Sequence, residues 1–249
     1  MAFETLRRKL NARWQESWFD PERLERVLLD RALADCRRFA GGVLLDVGCG
    51  QRRHERLFLP IVERYIGLDY PPVSKAVWAA AGGARGVDIG GDGQRLPIAS
   101  SAVDTVLCTQ VLEHVREPAQ LMGELARVLK PGGYAIITAP QEWGVHQEPF
   151  DFYRYTRYGL SYLAEKAGLQ VVYLRARGGF WAMLAQRWSA YLYDAVCRPL
   201  RRRGQRLAFL LSALLVLPLV ALTQLAGLGL DRLHYVDRNT LGYVLAARK

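Results

Sequence analysis

Short runs of apolar residues alternate with amphipathic stretches along most of the chain. Five runs are rich in Val, Ile, Leu or Tyr and are bounded by Gly, Asp or Pro, which is typical of β-strands. They cover residues 43–47, 65–68, 103–108, 134–138 and 169–174, and the clearest helical stretch between them covers residues 118–129. This alternation predicts an α/β fold built on a doubly wound, mostly parallel sheet.

The two ends of the chain extend this pattern. The first forty residues are helical in character, and Asp20-Pro21 is a typical helix start, an N-capping residue followed by proline. Residues 241–249 predict a last strand, which follows the strand at 169–174 only after about 65 residues. Neighbouring strands of one sheet are normally joined by far fewer residues. We therefore predict helices over 1–40, a sheet domain of 41–178 plus 237–249, and a helical insertion over 179–236.

The predicted insertion carries most of the positive charge of the chain. The net charge is +10, and residues 175–206 contain eight arginines against one acid, Asp194. Residues 207–230 follow without any charged residue, and about 20 apolar residues suffice to span the hydrocarbon core of a membrane. A basic cluster beside an apolar run is typical of contact with an anionic leaflet. Charge confined to one segment argues against nucleic-acid binding.

The path of the chain restricts how the apolar run can meet a membrane. The last strand must rejoin the sheet on the side that the chain left, which argues against one simple crossing. The run then lies in the interface or re-enters with a bend at Pro218, or it pairs with the amphipathic stretch 180–197 as a hairpin. These arrangements predict peripheral or monotopic attachment. Packing of the two helices on each other, or in a homodimer, is the alternative.

Glycine and aspartate stand at the ends of the predicted strands, where α/β folds bind ligands. LLDVGCG (44–50) is a strand that ends in a glycine turn, where the backbone can approach a ligand closely. Asp69 ends the next strand, at the position where an acid takes ribose hydroxyls in dinucleotide sites. Asp92 and Gly93 precede the strand at 103–108, and Gln110 follows it.

Five blocks in this order resemble the class I S-adenosylmethionine-dependent methyltransferases. They are LLDVGCG (44–50), YIGLD (65–69), the D-x-x-x-LP block (92–97), TQVLEHV (109–115) and ELARVLKPGGYAII (124–137). The resemblance implies a Rossmann-like sheet of seven strands, S-adenosylmethionine as cofactor and methyl transfer as the activity. It implies cofactor binding by Asp46, Gly48, Cys49 and Gly50 at the methionine part, Asp69 at the ribose, Asp92 and Gly93 at the adenine, and Gln110 at the transfer site. The chain departs from many members after Gly50, where Gln51-Arg52-Arg53 replaces a third glycine.

The stretch HQEPFDFYRYT (146–156) resembles the H-x-x-P-x-D-F-x-R-[YF]-[ST] stretch of methyltransferases from bacterial polysaccharide and lipid-glycan gene clusters. The resemblance implies substrate binding by Asp151, Tyr153 and Arg154. His146 is the candidate base for a hydroxyl acceptor, because an unperturbed imidazole titrates near neutral pH. Packing of an aromatic-rich surface loop is the alternative. We predict no metal site, because Glu113-His114 has no second ligand at metal-binding spacing.

The remaining observations concern the compartment and the class of function. The four cysteines lie far apart, which argues against a disulfide scaffold or a thiolate zinc site and fits a reducing cytosol. The leading hypothesis is a methyltransferase on the cytoplasmic side of the inner membrane that acts on a hydrophobic or lipid-linked acceptor, such as a lipid-linked glycan, a quinone or a lipid. A non-catalytic membrane adaptor on this fold and an RNA methyltransferase are the alternatives.

Overall fold

The structure is a computed structural model, and it describes residues 13–70 and 87–249. The strands are β1 (Val43–Val47), β2 (Arg64–Asp69), β3 (Ile89–Gly90), β4 (Val103–Thr109), β5 (Leu129–Pro140), β6 (Gln170–Ala176) and β7 (Gly242–Arg248). They form a seven-stranded sheet in the order β3-β2-β1-β4-β5-β7-β6. Strand pairs are parallel except the two that involve β7, which is antiparallel to β5 and β6. The predicted α/β fold with a doubly wound, mostly parallel sheet is confirmed.

The helices are α1 (Arg23–Cys36), α2 (Glu55–Phe58), α3 (Pro118–Val128), α4 (Arg157–Lys166), α5 (Phe180–Leu192), α6 (Arg198–Arg202) and α7 (Arg206–Leu233). The Asp20 carboxylate accepts a hydrogen bond from the Glu22 backbone N–H at 2.9 Å, so the predicted capping residue does precede α1. Strand β5 begins at Leu129, five residues before the predicted strand 134–138. A bulge between Val103 and Thr105 accommodates this early start.

The central strands are apolar because both faces of the sheet are covered. Leu44, Leu45, Val106 and Leu107 are fully buried, and such continuous apolar runs are expected for parallel strands that lie between layers of helices. Polar residues and glycines begin where these strands end. The carboxyl ends of β1, β2 and β4 therefore carry the loops that form the candidate site.

The chain divides into two compact units. The sheet unit consists of Asp30–Ala176 and Gly242–Lys249, and the helical unit consists of Arg177–Leu241 with the described residues up to Leu29. Helix α1 contributes residues to both units. The predicted domain boundaries stay predictions about independently folding parts of the chain.

In the helical unit, α5 and α7 run antiparallel and in close contact. The Asp231 carboxylate near the end of α7 accepts hydrogen bonds from the backbone N–H groups of Gly179 and Trp181, at 2.7 and 3.1 Å, and so caps the start of α5. Gly227 is buried at the contact, and a Cβ atom there would lie 2.5 Å from the Ala185 Cβ. The absence of a side chain at Gly227 is therefore what lets the two helices approach.

Two fully buried glutamines attach the beginning of α1 to these helices. The Gln224 side chain accepts a hydrogen bond from the Leu24 N–H at 2.7 Å, and the Gln186 side chain accepts one from the Glu25 N–H at 3.1 Å. Nearby, the buried Arg177 guanidinium forms an ion pair with Glu25 at 2.7 Å. The two glutamine side chains satisfy backbone N–H groups that the first turn of a helix leaves without partners.

Helix α7 remains largely exposed on the side that α5 does not cover. It has a mean hydropathy of 2.2 over its most apolar 18 residues, of which 17% are buried, and in the described part of the chain it alone is long and apolar enough to cross a membrane. Leucine side chains cover its free surface: Leu207, Leu210, Leu211, Leu214, Leu215, Leu219, Leu222 and Leu225. The helix continues through Pro218.

Candidate functional site

The glycine turn after β1 is held against the end of β2. The Gly48 and Cys49 N–H groups both donate to the Leu68 carbonyl oxygen, at 2.8 and 3.1 Å. Gly48 has φ +76°, and a Cβ atom there would lie 2.3 Å from a methyl carbon of Val111. Both the left-handed backbone and the space therefore require glycine at this position.

Asp69, the last residue of β2, lies beside this turn. Its carboxylate accepts hydrogen bonds from the Gly50 N–H at 3.1 Å and from the Tyr70 N–H at 2.7 Å. A carboxylate has about four lone-pair positions, so these two bonds fix the group and leave acceptor capacity for hydroxyls. Partial burial raises the pKa of Asp69, and the two backbone bonds oppose that rise.

Asp46 lies deeper in the sheet than the turn that follows it. Its side chain is fully buried and accepts a hydrogen bond from the Tyr65 hydroxyl. Its other carboxylate oxygen is buried without a hydrogen bond among the described residues. Burial raises the pKa of Asp46 to about 7, because the ionised form is poorly solvated there.

Arg52 occupies the turn where many relatives have the third glycine. Its φ is +53°, a left-handed backbone that non-glycine residues rarely adopt. The guanidinium donates to the Tyr65 carbonyl oxygen at 3.2 Å and forms ion pairs with Glu55 and Asp88 at 3.0 and 3.2 Å. Side-chain anchoring thus holds the backbone conformation that glycine otherwise provides.

These loops surround a cavity of about 430 Å³ at the carboxyl ends of the strands. Its lining includes six of the predicted site residues, Gly48, Gly50, Asp69, Asp92, Gly93 and Gln110. Asp92 caps its own turn by accepting from the Gln94 N–H at 2.9 Å. The Gln110 backbone is left-handed, at φ +54°, and its side-chain amide donates to the Thr138 hydroxyl at 3.1 Å. The structure therefore brings together most of the residues that the glycine and aspartate pattern selected.

The described lining of this cavity does not include Asp46, Cys49, His146, Asp151, Tyr153 or Arg154. Cys49 is buried beside the glycine turn, and burial raises the pKa of its thiol. The Tyr153 hydroxyl donates to the Arg116 carbonyl oxygen at 2.9 Å. The cofactor and substrate roles of these residues stay predictions.

Asp151 and Arg154 hold the loop that follows β5. The Arg154 guanidinium binds both carboxylate oxygens of Asp151, at 2.7 and 2.9 Å, and also donates to the carbonyl oxygens of Trp143 and Gly144. The Asp151 side chain is 2% exposed, and its pKa is held far below its ordinary value, mainly by Arg154. This bidentate pair positions the backbone around His146, whose N–H donates to Asp151 at 2.9 Å.

Glu113, His114 and His146 come together although His146 is distant in sequence. Potential metal-ligand atoms of the three side chains lie within 4.8 Å of one another. Glu113 and His114 belong to a short 3-10 helix, Leu112–His114, after β4, whereas His146 follows β5. These two strands are parallel neighbours, so their carboxyl ends bring the two loops together.

His114 is the principal cavity-lining residue that the sequence analysis did not select as a site residue. It lines the cavity, together with Phe150 and Phe152 from the loop after β5. Burial lowers the pKa of His114, which favours the neutral imidazole. The signal that could have found it is the expectation that loops after neighbouring parallel strands meet at one edge of the sheet.

Comparison with known proteins supports the same family. Residues 45–137 match the family model described as a methyltransferase domain. A curated Mycolicibacterium smegmatis protein named "Probable S-adenosylmethionine-dependent methyltransferase" is 36% identical over 124 residues, which cover 49% of this chain and 45% of that protein. An "Uncharacterized methyltransferase" of Mycobacterium leprae (strain TN) is 38% identical over 99 residues, which cover 39% of this chain and 37% of the relative. The chain thus spans less than half the length of these relatives.

Solved structures show the same fold at lower identity. The S-adenosylmethionine-dependent methyltransferase of Mesorhizobium loti has a TM-score of 0.50 at 16% identity, over 87% of this chain and 96% of that one. The [4+2]-cyclase SpnF has a TM-score of 0.51 at 23% identity, over 88% of this chain and 80% of that one. One of these neighbours is named for a different reaction, so the shared fold alone does not identify the activity.

Proposed function

We propose that this chain, whose residues 45–137 match a family model described as a methyltransferase domain, transfers a methyl group from S-adenosylmethionine to a hydroxyl of a membrane-borne acceptor. The observation that carries the first half is the Asp69 carboxylate, which is fixed by Gly50 at the wall of a cavity bounded by a glycine turn. That arrangement suits a ligand with vicinal hydroxyls beside a flat ring.

The residues present fit the cofactor. The cavity volume of about 430 Å³ lies within the range of sites for ligands of this size. Asp69 retains acceptor positions for ribose hydroxyls, Asp92 offers a carboxylate for an exocyclic amine, and Gly48 keeps the turn free of side-chain atoms. When bound, S-adenosylmethionine would supply an electrophilic methyl group on a sulfonium, which is the chemistry that methylation of an acceptor oxygen requires.

The chain's own contribution to the reaction is positioning and proton removal. Gln110 and His114 line the cavity on the side of β4, and His146 lies next to His114 with ring centroids 4.8 Å apart. The Nδ1 of His146 is 3.1 Å from the Asp151 carboxylate, which favours a proton on Nδ1 and an accepting lone pair on Nε2. His146 is thus the proposed base for the acceptor hydroxyl.

A first test changes only the ribose acceptor. Asp69→Asn keeps the size of the side chain but removes its charge, and hydrogen bonds to charged groups are worth about 1.5–3 kcal/mol. We expect S-adenosylmethionine affinity to fall about tenfold or more in isothermal titration calorimetry. Asp104→Asn, a change at the ion pair with Lys130 and outside the described lining of the cavity, is the matched control and should bind as the parent does. Unchanged affinity in Asp69→Asn would refute the assignment.

The membrane-borne acceptor is proposed from the helical unit. Exposed leucines cover the free side of α7, and exposed arginines cluster before and at its start: Arg201, Arg202, Arg203 and Arg206. Apolar surface beside clustered cations complements an anionic leaflet, with the leucines buried among acyl chains and the guanidinium groups at the phosphates. Chain continuity through β6 and β7 then keeps the methyltransferase domain near the membrane surface, on the cytoplasmic side.

The membrane proposal predicts that vesicle binding has an apolar contribution from the leucines and an electrostatic contribution from the arginines. The full-length chain should float with vesicles, resist a high-salt wash and be released by detergent. Changing the four clustered arginines to Gln should remove the extra binding to anionic over neutral vesicles, since each contributes about 1 kcal/mol near such a surface. The matched control changes the exposed Arg31, Arg56, Arg64 and Arg95. A chain that is monodisperse without detergent would favour the homodimer instead.

A further inference from the structure

Oxygen atoms near Nδ1 set the ring orientations of His114 and His146, the two histidines beside the cavity. The Nδ1 of His114 is 2.5 Å from the Phe150 carbonyl oxygen. The Nδ1 of His146 is 3.1 Å from both the Gly144 carbonyl oxygen and the Asp151 carboxylate. Each contact favours a proton on Nδ1 and therefore a lone pair on Nε2. Histidines that bind metals typically have their second nitrogen held in this way by a carbonyl or carboxylate oxygen.

The other atoms of the cluster complete a set of ligands. The Nε2 of His114 is buried, makes no hydrogen bond among the described residues, and lies 3.8 Å from a carboxylate oxygen of Glu113. The Glu113 side chain is 1% exposed. Two neutral imidazoles and one carboxylate form a nitrogen and oxygen donor set that binds divalent transition metals well.

We propose that Glu113, His114 and His146 bind one divalent transition-metal ion at the wall of the cavity. Ligand atoms that each lie about 2.0–2.2 Å from one ion are less than 4.8 Å apart, which is the distance within which the potential ligand atoms of this cluster lie. Binding therefore requires the cluster to contract. At 28% exposed, His146 is the least enclosed of the three side chains, so the contraction is expected there, with Nδ1 keeping its oxygen contacts. The Arg154 guanidinium is engaged by Asp151 and backbone oxygens, so its donors are already used there.

The position of the ion gives it a use that rests on the proposed methyltransferase function. Since His114 lines the cavity, coordination positions not taken by protein are directed to the space where an acceptor hydroxyl would approach. A bound cation favours the deprotonated form of an adjacent hydroxyl and orients it. In that state His146 acts as a ligand, and the proton of the acceptor leaves to solvent.

The test uses full-length protein without a histidine tag, in detergent, and Co²⁺ or Zn²⁺ alone as the probe. We expect one equivalent of Co²⁺ to bind, with a visible absorption band and with micromolar or tighter affinity. His114→Gln and His146→Gln should each weaken binding about a hundredfold, at the upper end of the loss usual even for outer-shell changes. Glu113→Gln should weaken it at least tenfold. His234→Gln, a change of an exposed histidine in the helical unit, is the matched control and should bind as the parent does.

The outcomes separate this proposal from the proposed function. Calorimetry with S-adenosylmethionine on metal-free protein reports the fold and the cofactor site, and it should give the parent affinity in His146→Gln. A variant that loses both metal binding and cofactor binding would be misfolded. In that case Glu113→Asp replaces it in the test, and we expect this variant to fold and to bind Co²⁺ more weakly than the parent. Absence of Co²⁺ binding in the parent, or equal binding in all cluster variants, would overturn the site, whatever the methyltransferase activity.

Discussion

Replacing Asp46 with asparagine should remove a large pH dependence from the stability of the fold. Burial raises the pKa of Asp46 from its ordinary value of 3.8 to about 7, so the folded chain holds a proton that the unfolded chain releases. Below the unfolded pKa, the titration of Asp46 does not change the free energy of unfolding. As the pH rises from about 4 to about 7, this titration lowers the free energy of unfolding. At 1.36 kcal/mol for each pKa unit, the loss at high pH is about 4 kcal/mol.

The measurement is the melting temperature of the two proteins in a mild detergent at several pH values. For a chain of this size the loss corresponds to about 10 °C, and it should be present in the parent and absent in Asp46→Asn. Comparing the two proteins cancels other titrating groups, such as His114, whose lowered pKa makes a contribution of opposite sign. Asp104→Asn is a control at an exposed ion pair with Lys130. Parallel pH curves for the parent and Asp46→Asn would contradict this account.

Two glycines of α7 should respond in opposite ways to substitution by alanine. Gly229 has open space around its Cβ position, whereas a Cβ atom on Gly227 would lie 2.5 Å from the Ala185 Cβ and 2.8 Å from the Trp181 carbonyl oxygen. Alanine in a helix interior is favoured over glycine by about 1 kcal/mol, so Gly229→Ala should stabilise the protein. Gly227→Ala should destabilise it, because overpacking typically costs about 1–3 kcal/mol.

The difference between these alanine variants is the informative quantity. Both are Gly→Ala changes in the same helix, so helix propensity cancels and the difference reports the contact between α5 and α7. We expect the melting temperature of Gly227→Ala in detergent to lie about 6 °C below that of Gly229→Ala, as follows from an overpacking cost of about 2 kcal/mol. Equal shifts would mean that α5 and α7 do not pack closely at Gly227, and the helical unit would then need another arrangement.

The sheet was largely predictable because its strands are apolar and end at glycine or aspartate. The predicted strand 43–47 matches β1, and Asp69 does end β2. The two-residue strand β3 has too few residues to show a periodicity. The early start of β5 depends on pairing with β4 through a bulge, which the local pattern of apolar residues does not reveal.

The candidate site was predictable where a short motif determines the geometry and less so where the tertiary structure does. The glycine turn and Asp69 follow from local sequence, and both line the cavity. The approach of His146 to Glu113 and His114 depends on the neighbouring positions of β4 and β5, so their separation in sequence hides it. The sequence shows only a departure from many members where Arg52 stands in place of a third glycine, whereas the structure shows that the ion pairs of Arg52 hold a left-handed turn there.

The strand register around the insertion also bears on how such a chain can be rearranged. Ala176 and Tyr243, next to the two ends of the insertion, are directly paired between β6 and β7. For the sheet, the whole segment is one hairpin loop, and the entropy cost of a loop grows only with the logarithm of its length, by about 0.6 kcal/mol for each doubling. Moved together with the start of α1, which Gln186 and Gln224 bind, the segment is therefore exchangeable: another enzyme of the same fold could receive it between its last two paired strands without a change of strand order.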